Sequence, residues 1–166
     1  LWIFHQGAFG EPNFYESDET LGLRLIPNSK MRLSYLGVTP YTEVHINELG
    51  FRGGPHPAPG EDDVVVVGDS LTFGLGVNND KTYPVLLQQL MGGNSTVINY
   101  GVPAYRMHEM TLSLERILQV REPRRVVYAI SVGRFLGRLP EAFSGRINFD
   151  NGWLIAGKTG NIQVPL

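Results

Sequence analysis

Residues 64–74 read VVVVGDSLTFG, four valines that run into a glycine, an acid and a serine. A short run of β-branched apolar residues that ends in this way is typical of a buried strand in a parallel sheet. In open α/β sheets, the chemistry lies just beyond the carboxyl ends of the strands. Ser70 stands at that point and is therefore a candidate nucleophile. The alternative is that its hydroxyl caps the helix that follows.

The chain beyond this strand predicts a doubly wound parallel sheet. A helix is expected to begin near Thr82, which can cap it, with Pro84 in its first turn. Its apolar residues recur on one face, at Tyr83, Leu86, Leu87 and Leu90. The next three elements are a strand, a helix and a strand, at residues 96–99, 105–120 and 125–131. The order β-α-β-α-β is the pattern of an α/β fold.

The first 60 residues read as a β-rich lead-in to this α/β unit. Residues 1–20 show no periodicity and are expected to be irregular. Residues 21–26 and 31–35 alternate partly between apolar and polar, and the turn residues 27–29 between them predict a β-hairpin. A third short strand is expected at residues 42–46.

The pattern changes again after the third parallel strand. Residues 146–149 and 153–156 are expected to pair as a hairpin, because Asn-Gly at residues 151–152 is a strong turn signal. A further strand is expected at residues 162–166. Three parallel strands make a small sheet for a doubly wound domain. The α/β domain, residues 61–166, is therefore expected to be incomplete at its C-terminus.

The composition excludes several classes of function. The chain has 166 residues, of which 42% are hydrophobic, and this length favours a single globular domain. The net charge of −2 gives no support for a nucleic-acid partner. There is no cysteine, so disulfides and thiolate metal sites are excluded. The histidines and aspartates show no recognisable metal-ligand spacing, and neither a metal nor a cofactor is expected. No apolar run approaches the roughly 20 residues of a membrane span.

Several segments together resemble the GDSL, or SGNH, hydrolases. The sequence GDSL at residues 68–71 follows a hydrophobic strand and is similar to their first block, and NYG at residues 99–101 resembles the second. NELGFRG at residues 47–53 resembles a segment that precedes the first block in bacterial extracytoplasmic members, and the hairpin at residues 146–164 is similar to an insertion in that subgroup. The resemblance covers residues 20–166. It implies an SGNH-hydrolase-like (flavodoxin-like) three-layer α/β/α fold in a periplasmic or secreted protein.

The resemblance also implies a chemistry, namely hydrolysis of carboxylic esters or O-acyl transfer, with acylated carbohydrate as a substrate class. Ser70 would attack the ester carbonyl, and the backbone N–H groups of Ser70 and Gly101 would hold the oxyanion. Asp69 is expected to be a structural carboxylate that ties the turn, with Asn99 as an accessory group beside the site. Family members take the base from an Asp-x-x-His pair near the C-terminus and a further oxyanion donor from a third-block asparagine.

The chain departs from the family in two places. Where the third block should bring an asparagine, residues 131–135 read SVGRF. Aligned by the strand, Gly133 and Arg134 stand in place of the Asn-Asp pair; aligned by the glycine, Phe135 stands in place of the asparagine. Arg134 is either a substitute donor or an ordinary surface arginine. No Asp-x-x-His follows Ser70, and the last histidine, His108, opens the second predicted helix near the same sheet edge. A histidine in that position is more often exposed or capping than catalytic.

These departures leave alternatives open. The chain is an N-terminal part of a longer hydrolase, a non-catalytic relative that binds a ligand or partner, or both. A flavodoxin-like nucleotide-binding module is a third alternative, but the glycine-rich turn at residues 74–80 has neither the P-loop nor the dinucleotide-binding order. An incomplete sheet also exposes an edge, which predicts pairing with a partner chain, such as a second copy in a homo-oligomer.

Overall fold

The computed structural model describes residues 14–33, 41–92 and 95–131, and the strands at residues 147–150, 153–156 and 163–165. The strands are β1 (Tyr15–Asp18), β2 (Gly22–Leu25), β3 (Lys30–Leu33), β4 (Thr42–His45), β5 (Asp63–Gly68), β6 (Thr96–Gly101), β7 (Arg125–Tyr128), β8 (Ile147–Asp150), β9 (Trp153–Ala156) and β10 (Gln163–Pro165). The helices are α1 (Ser70–Phe73), α2 (Tyr83–Met91) and α3 (Met107–Leu118), with a 3₁₀ turn at Asn79–Lys81.

A three-stranded parallel sheet flanked by helices forms the centre of the described chain, which is therefore a mixed α/β structure. Its strand order is β6-β5-β7, and both pairings are parallel. The predicted β-α-β-α-β order is thus confirmed. The valine strand β5 is buried along its whole length because it has a neighbour on each side. In the register of β5 and β6, Gly68 lies opposite Gly101, so two glycines end the two strands side by side.

The two longer helices lie close to their predicted positions. Helix α2 begins after Thr82 with Pro84 near its start, and α3 is shorter at both ends than predicted. The apolar residues of α2 do not form a buried face, because Leu90 is 85% exposed and Leu86 is 40% exposed. Gln88 instead joins α2 to the sheet, since its amide donates to the Ser95 carbonyl at 2.6 Å and accepts from the Val97 N–H at 2.6 Å.

The lead-in contains two antiparallel pairs, β1 with β2 and β3 with β4. The predicted hairpin between residues 21–26 and 31–35 is therefore wrong, and so is the irregular assignment where it includes Tyr15–Asp18. Asp18 explains the first pair, because its carboxylate accepts from the N–H groups of Thr20 and Leu21 and closes a tight turn. Residues 1–13 of the segment predicted to be irregular lie outside the described residues.

The segment between β2 and β3 does not form a hairpin turn, so β3 does not pair with β2. Asn28 has a φ of 55°. Its N–H donates to the carbonyl of Asn47 at 3.0 Å, and the Ile46 N–H donates to the carbonyl of Ser29 at 2.8 Å. The hydrogen-bond partners of this turn therefore lie in the segment after β4, and these hydrogen bonds hold β3 beside β4.

The last three strands form a separate antiparallel sheet in the order β10-β9-β8. The predicted hairpin at residues 146–156 is confirmed by the pairing of Ile147 with Ala156 and of Asp150 with Trp153. The Asn-Gly pair predicted as its turn lies outside the described residues.

The lead-in and the α/β unit share one apolar core among the described residues. It includes Leu25, Leu33 and Val44 from the lead-in, Val65, Val67 and Ile98 from the sheet, and Met110 and Ile117 from α3. Two tyrosine hydroxyls join the same parts, since Tyr15 donates to the Pro103 carbonyl at 3.2 Å and Tyr105 to the Leu23 carbonyl at 3.0 Å. Within the described part of the chain, no helix has the length and apolarity needed to cross a membrane.

Candidate active site

Ser70 is the first residue of α1 and follows the central strand β5 after one intervening residue. The helix is capped by Asp69, whose Oδ1 accepts from the N–H of Leu71 at 2.9 Å. Asp69 is buried, whereas Ser70 is partly exposed. The capping role that the sequence left open for Ser70 thus belongs to its neighbour. Among the described residues, the Ser70 hydroxyl has no hydrogen-bond partner.

Helix α1 lies directly on the two glycines that end β5 and β6. A Cβ added at Gly101 would lie 2.6 Å from the carbonyl carbon of Thr72, and closer still to the backbone nitrogen of Phe73. A Cβ added at Gly68 would lie 2.6 Å from the Cβ of Thr72. Real Cβ contacts are essentially never this short. Neither glycine has a positive φ, so each is required by close approach and not by backbone conformation.

Asn99 fastens the end of β6 to α1. Its Nδ2 donates to the carbonyl of Thr72 at 3.0 Å, and its Oδ1 accepts from the N–H of Gly101 at 2.9 Å. The Gly101 N–H, which the sequence predicts as an oxyanion donor, therefore already has a partner inside the protein. A role in holding an oxyanion would require that hydrogen bond to break.

The turn after β6 contains a strained residue that the sequence did not single out. Ala104 has a φ of 74°, a region that costs a residue with a Cβ roughly 1–2 kcal/mol. Such strain persists where the surrounding structure enforces it, and it clusters at functional sites. Its neighbours are tied to the sheet, since the Val102 N–H donates to the Gly68 carbonyl at 3.1 Å. Among the described residues, the N–H of Ala104 has no partner.

The histidines of the described chain do not contact Ser70. His108 is the exposed second residue of α3, at the carboxyl edge of the sheet, and it makes no hydrogen bond to Ser70. His56 is bonded elsewhere, with its Nε2 2.5 Å from the hydroxyl of Tyr100 and its Nδ1 3.4 Å from Nη2 of Arg121. Adjacent strand residues point to opposite faces, so Tyr100 faces away from Asn99 and α1. The described residues therefore hold no Ser-His pair.

His56 belongs to a buried ionic cluster at the other face of the sheet. Arg121 donates to the carboxylate of Asp63 and to the carbonyl of Pro57, and both Arg121 and Asp63 are buried. Burial, followed by the nearby Arg121 guanidinium, lowers the pKa of His56. The neutral imidazole accepts from Arg121 at Nδ1, which leaves the Nε2 proton for the Tyr100 hydroxyl. This cluster ties the loop before β5 to the segment after α3.

The remaining predicted site residues, Gly133 and Arg134, lie outside the described residues. In the ranges that the structure describes, no three His, Asp or Glu side chains gather closely enough to hold a metal ion. Comparison with models of known protein families finds no match for this chain, and comparison with curated proteins finds no matching sequence.

Proposed function

We propose that this chain is an SGNH/GDSL-like acyl hydrolase or O-acyltransferase in which Ser70 is the nucleophile. The observation that carries the proposal is the division of tasks within Gly68-Asp69-Ser70. Gly68 makes room for Thr72, and Asp69 caps α1. The partly exposed Ser70 hydroxyl has no structural partner among the described residues, and packing does not explain a serine there. It stands at the carboxyl edge of a parallel sheet, where α/β proteins place their chemistry.

The reaction follows from this placement. The Ser70 oxygen attacks the carbonyl carbon of a carboxylic ester, and its proton passes to a base. The tetrahedral oxyanion accepts hydrogen bonds from two backbone N–H groups, that of Ser70 and that of a residue at or just after the end of β6. The alcohol then leaves with a proton, and water or an acceptor hydroxyl removes the acyl group from Ser70. An acylated carbohydrate is the proposed class of substrate, and this choice rests on the family resemblance alone.

Two residues compete for the role of second oxyanion donor, Gly101 at the end of β6 and Ala104 in the turn after it. Gly101 has the expected position but its N–H is bonded to Asn99. Ala104 is strained, and its N–H has no partner in the described chain. An N–H without a hydrogen-bond partner can donate to an oxyanion without first breaking another hydrogen bond. The N–H of Ala104 is therefore a candidate beside that of Gly101.

The second candidate function is that of a non-catalytic relative that binds a ligand or partner. Two observations favour it. The third block lacks its asparagine, and the histidines in the described residues do not bond to Ser70. Without a base, a serine hydroxyl is a weak nucleophile.

A serine-directed fluorophosphonate separates the two functions. The folded protein is incubated with the reagent and its intact mass is measured, beside Ser70→Ala and the control Ser17→Ala, which alters an exposed serine on β1. One adduct on the wild type and on Ser17→Ala, with none on Ser70→Ala, is the expected result. An adduct that persists in Ser70→Ala refutes Ser70 as nucleophile. No adduct on any folded variant favours the binding protein.

A further inference from the structure

Arg52 is a buried cation surrounded by oxygen atoms of the loop that follows α1. Its Nη1 donates to the carbonyls of Phe73 at 3.0 Å and Gly74 at 2.5 Å, and its Nη2 donates to the carbonyl of Val77 at 2.6 Å. Its Nε donates to Oδ1 of Asn79 at 2.9 Å. Burial lowers the pKa of Arg52 to about 10, so the guanidinium is still charged at neutral pH.

Two of the carbonyls that Arg52 binds, those of Phe73 and Gly74, lie at the end of α1, where a helix leaves its carbonyls unpaired. The last carbonyls of a helix have no intrahelical donor, and a cation near them also interacts favourably with the helix dipole. Gly74 ends α1 with a φ of 89°, which turns the chain back over the guanidinium. The guanidinium carbon also lies 5.1 Å from the centre of the Phe73 ring. Arg52 therefore closes the C-terminal end of α1.

A rigid turn presents Arg52 to this loop. Oδ1 of Asn47 accepts from the N–H groups of Leu49 at 3.1 Å and Phe51 at 3.0 Å. Gly50 has a φ of 83°, and a Cβ there would lie 2.9 Å from the carbonyl oxygen of Leu25. The Phe51 ring packs edge-on against Tyr100, with centroids 4.4 Å apart. Asn47, Gly50 and Phe51 thus fix the backbone beside residue 52, and Arg52 binds the end of α1.

We propose that Arg52 is a positioning residue for Ser70. Helix α1 is one turn long, and a single turn is unstable by itself. Asp69 caps its beginning, the strand-end glycines let Thr72 and Phe73 lie on the sheet, and the guanidinium binds its end. Both ends must be held for the Ser70 oxygen to keep one position relative to the sheet edge. This inference rests on the proposed function, since it concerns the reactivity of Ser70 as a nucleophile.

The test compares Arg52→Gln and Arg52→Lys with the control Arg24→Gln, which removes an exposed arginine paired with Glu16 on the lead-in. The rate of fluorophosphonate labelling at Ser70 is measured under conditions where each variant is folded, and urea unfolding is measured separately. The labelling rate of Arg52→Gln should fall at least tenfold, Arg52→Lys should recover part of it, and Arg24→Gln should match the wild type. Lysine keeps the charge but not the planar fork that reaches several carbonyls at once.

Two further readouts separate positioning from stability. Ethylguanidine at a concentration that does not denature should restore labelling in Arg52→Ala. Amide exchange in residues 70–77 should quicken in Arg52→Gln, because the N–H groups of Gly74 and Leu75 donate to the Ser70 carbonyl. Folded Arg52→Gln that is labelled at the wild-type rate overturns the positioning role and leaves the proposed function intact. An unlabelled, folded wild type overturns both, and unchanged exchange shows that Arg52 does not hold α1.

Discussion

Gly101→Ala tests the contact on which the site geometry depends, the close approach of α1 to β6. The added Cβ would lie 2.6 Å from the carbonyl carbon of Thr72, where ordinary contact begins at 3.4 Å. It would lie closer still to the backbone nitrogen of Phe73. Both are backbone atoms, so no rotamer change relieves the overlap. The helix has to withdraw by about 1 Å, against the hydrogen bond from Asn99 to Thr72.

The size of the effect follows from this geometry. Inserting a methyl group into a filled site costs about 1–3 kcal/mol, and more where the backbone has to move. We expect Gly101→Ala to lower the free energy of unfolding by about 3 kcal/mol. For a chain of this length, about 1 kcal/mol corresponds to about 2–4 °C in Tm, so the midpoint should fall by roughly 6–12 °C.

Urea and thermal unfolding, followed by circular dichroism, provide the measurement. Gly54→Ala is the matched control, because nothing lies within 4 Å of a Cβ added at Gly54 and its φ is not positive. That variant should be neutral or stabilised by about 0.4–1 kcal/mol through the unfolded state. If Gly101→Ala and Gly54→Ala unfold at the same urea concentration, α1 does not lie on β6 as described.

Three more predictions concern other residues near the sheet. Asp69→Ala should lower the free energy of unfolding by about 1 kcal/mol because α1 loses its cap. Asp69→Asn should retain most of the stabilisation by the cap, as measured in the same urea titration. Ala104→Gly should be neutral or stabilising by up to about 1 kcal/mol, because the strain energy that it removes exceeds the entropic cost of a glycine in the unfolded chain. A clear loss of stability would show that Ala104 is not strained. The pKa of His56 is lowered on folding, so the unfolded chain binds that proton at a higher pH than the folded chain. Stability should therefore fall as the pH drops below about 6.5, and His56→Gln should flatten this fall in urea titrations between pH 7.5 and 5.

The sheet could be predicted from the sequence because its signals are local. Four consecutive valines are typical of a buried strand in a parallel sheet, and Gly68 and Gly101 mark where β5 and β6 end. The strand that pairs with β2 could not be predicted, because alternation of apolar and polar residues identifies a strand but does not show which strand lies beside it. The observed pairing is favoured by the Asp18 carboxylate, which accepts from two backbone N–H groups, and by the Asn28 N–H, which donates to the carbonyl of Asn47.

The site could be predicted in its position and only partly in its contacts. The segment GDS placed Ser70 at the sheet edge, and the family resemblance implied that Asp69 ties the turn, while the choice between Ser70 and Asp69 as the helix cap needed the structure. Gly101 suited an oxyanion amide by its lack of a side chain, but the same feature is used for close packing against Thr72. Ala104 gave no signal at all, because alanine does not favour a positive φ and the strain arises from its surroundings.

The position of Arg52 bears on how the lead-in relates to the site. The sequence pattern divides the chain near residue 60, between the β-rich lead-in and the α/β unit. The contacts cross that division, since the guanidinium from the lead-in binds the loop after α1 and Phe51 packs on Tyr100 of β6. The segment from residue 61 onwards contains the sheet strands, Asp69 and Ser70, but it does not contain Arg52, the group that closes α1. The reactivity proposed for Ser70 is therefore a property of the lead-in and the α/β unit together.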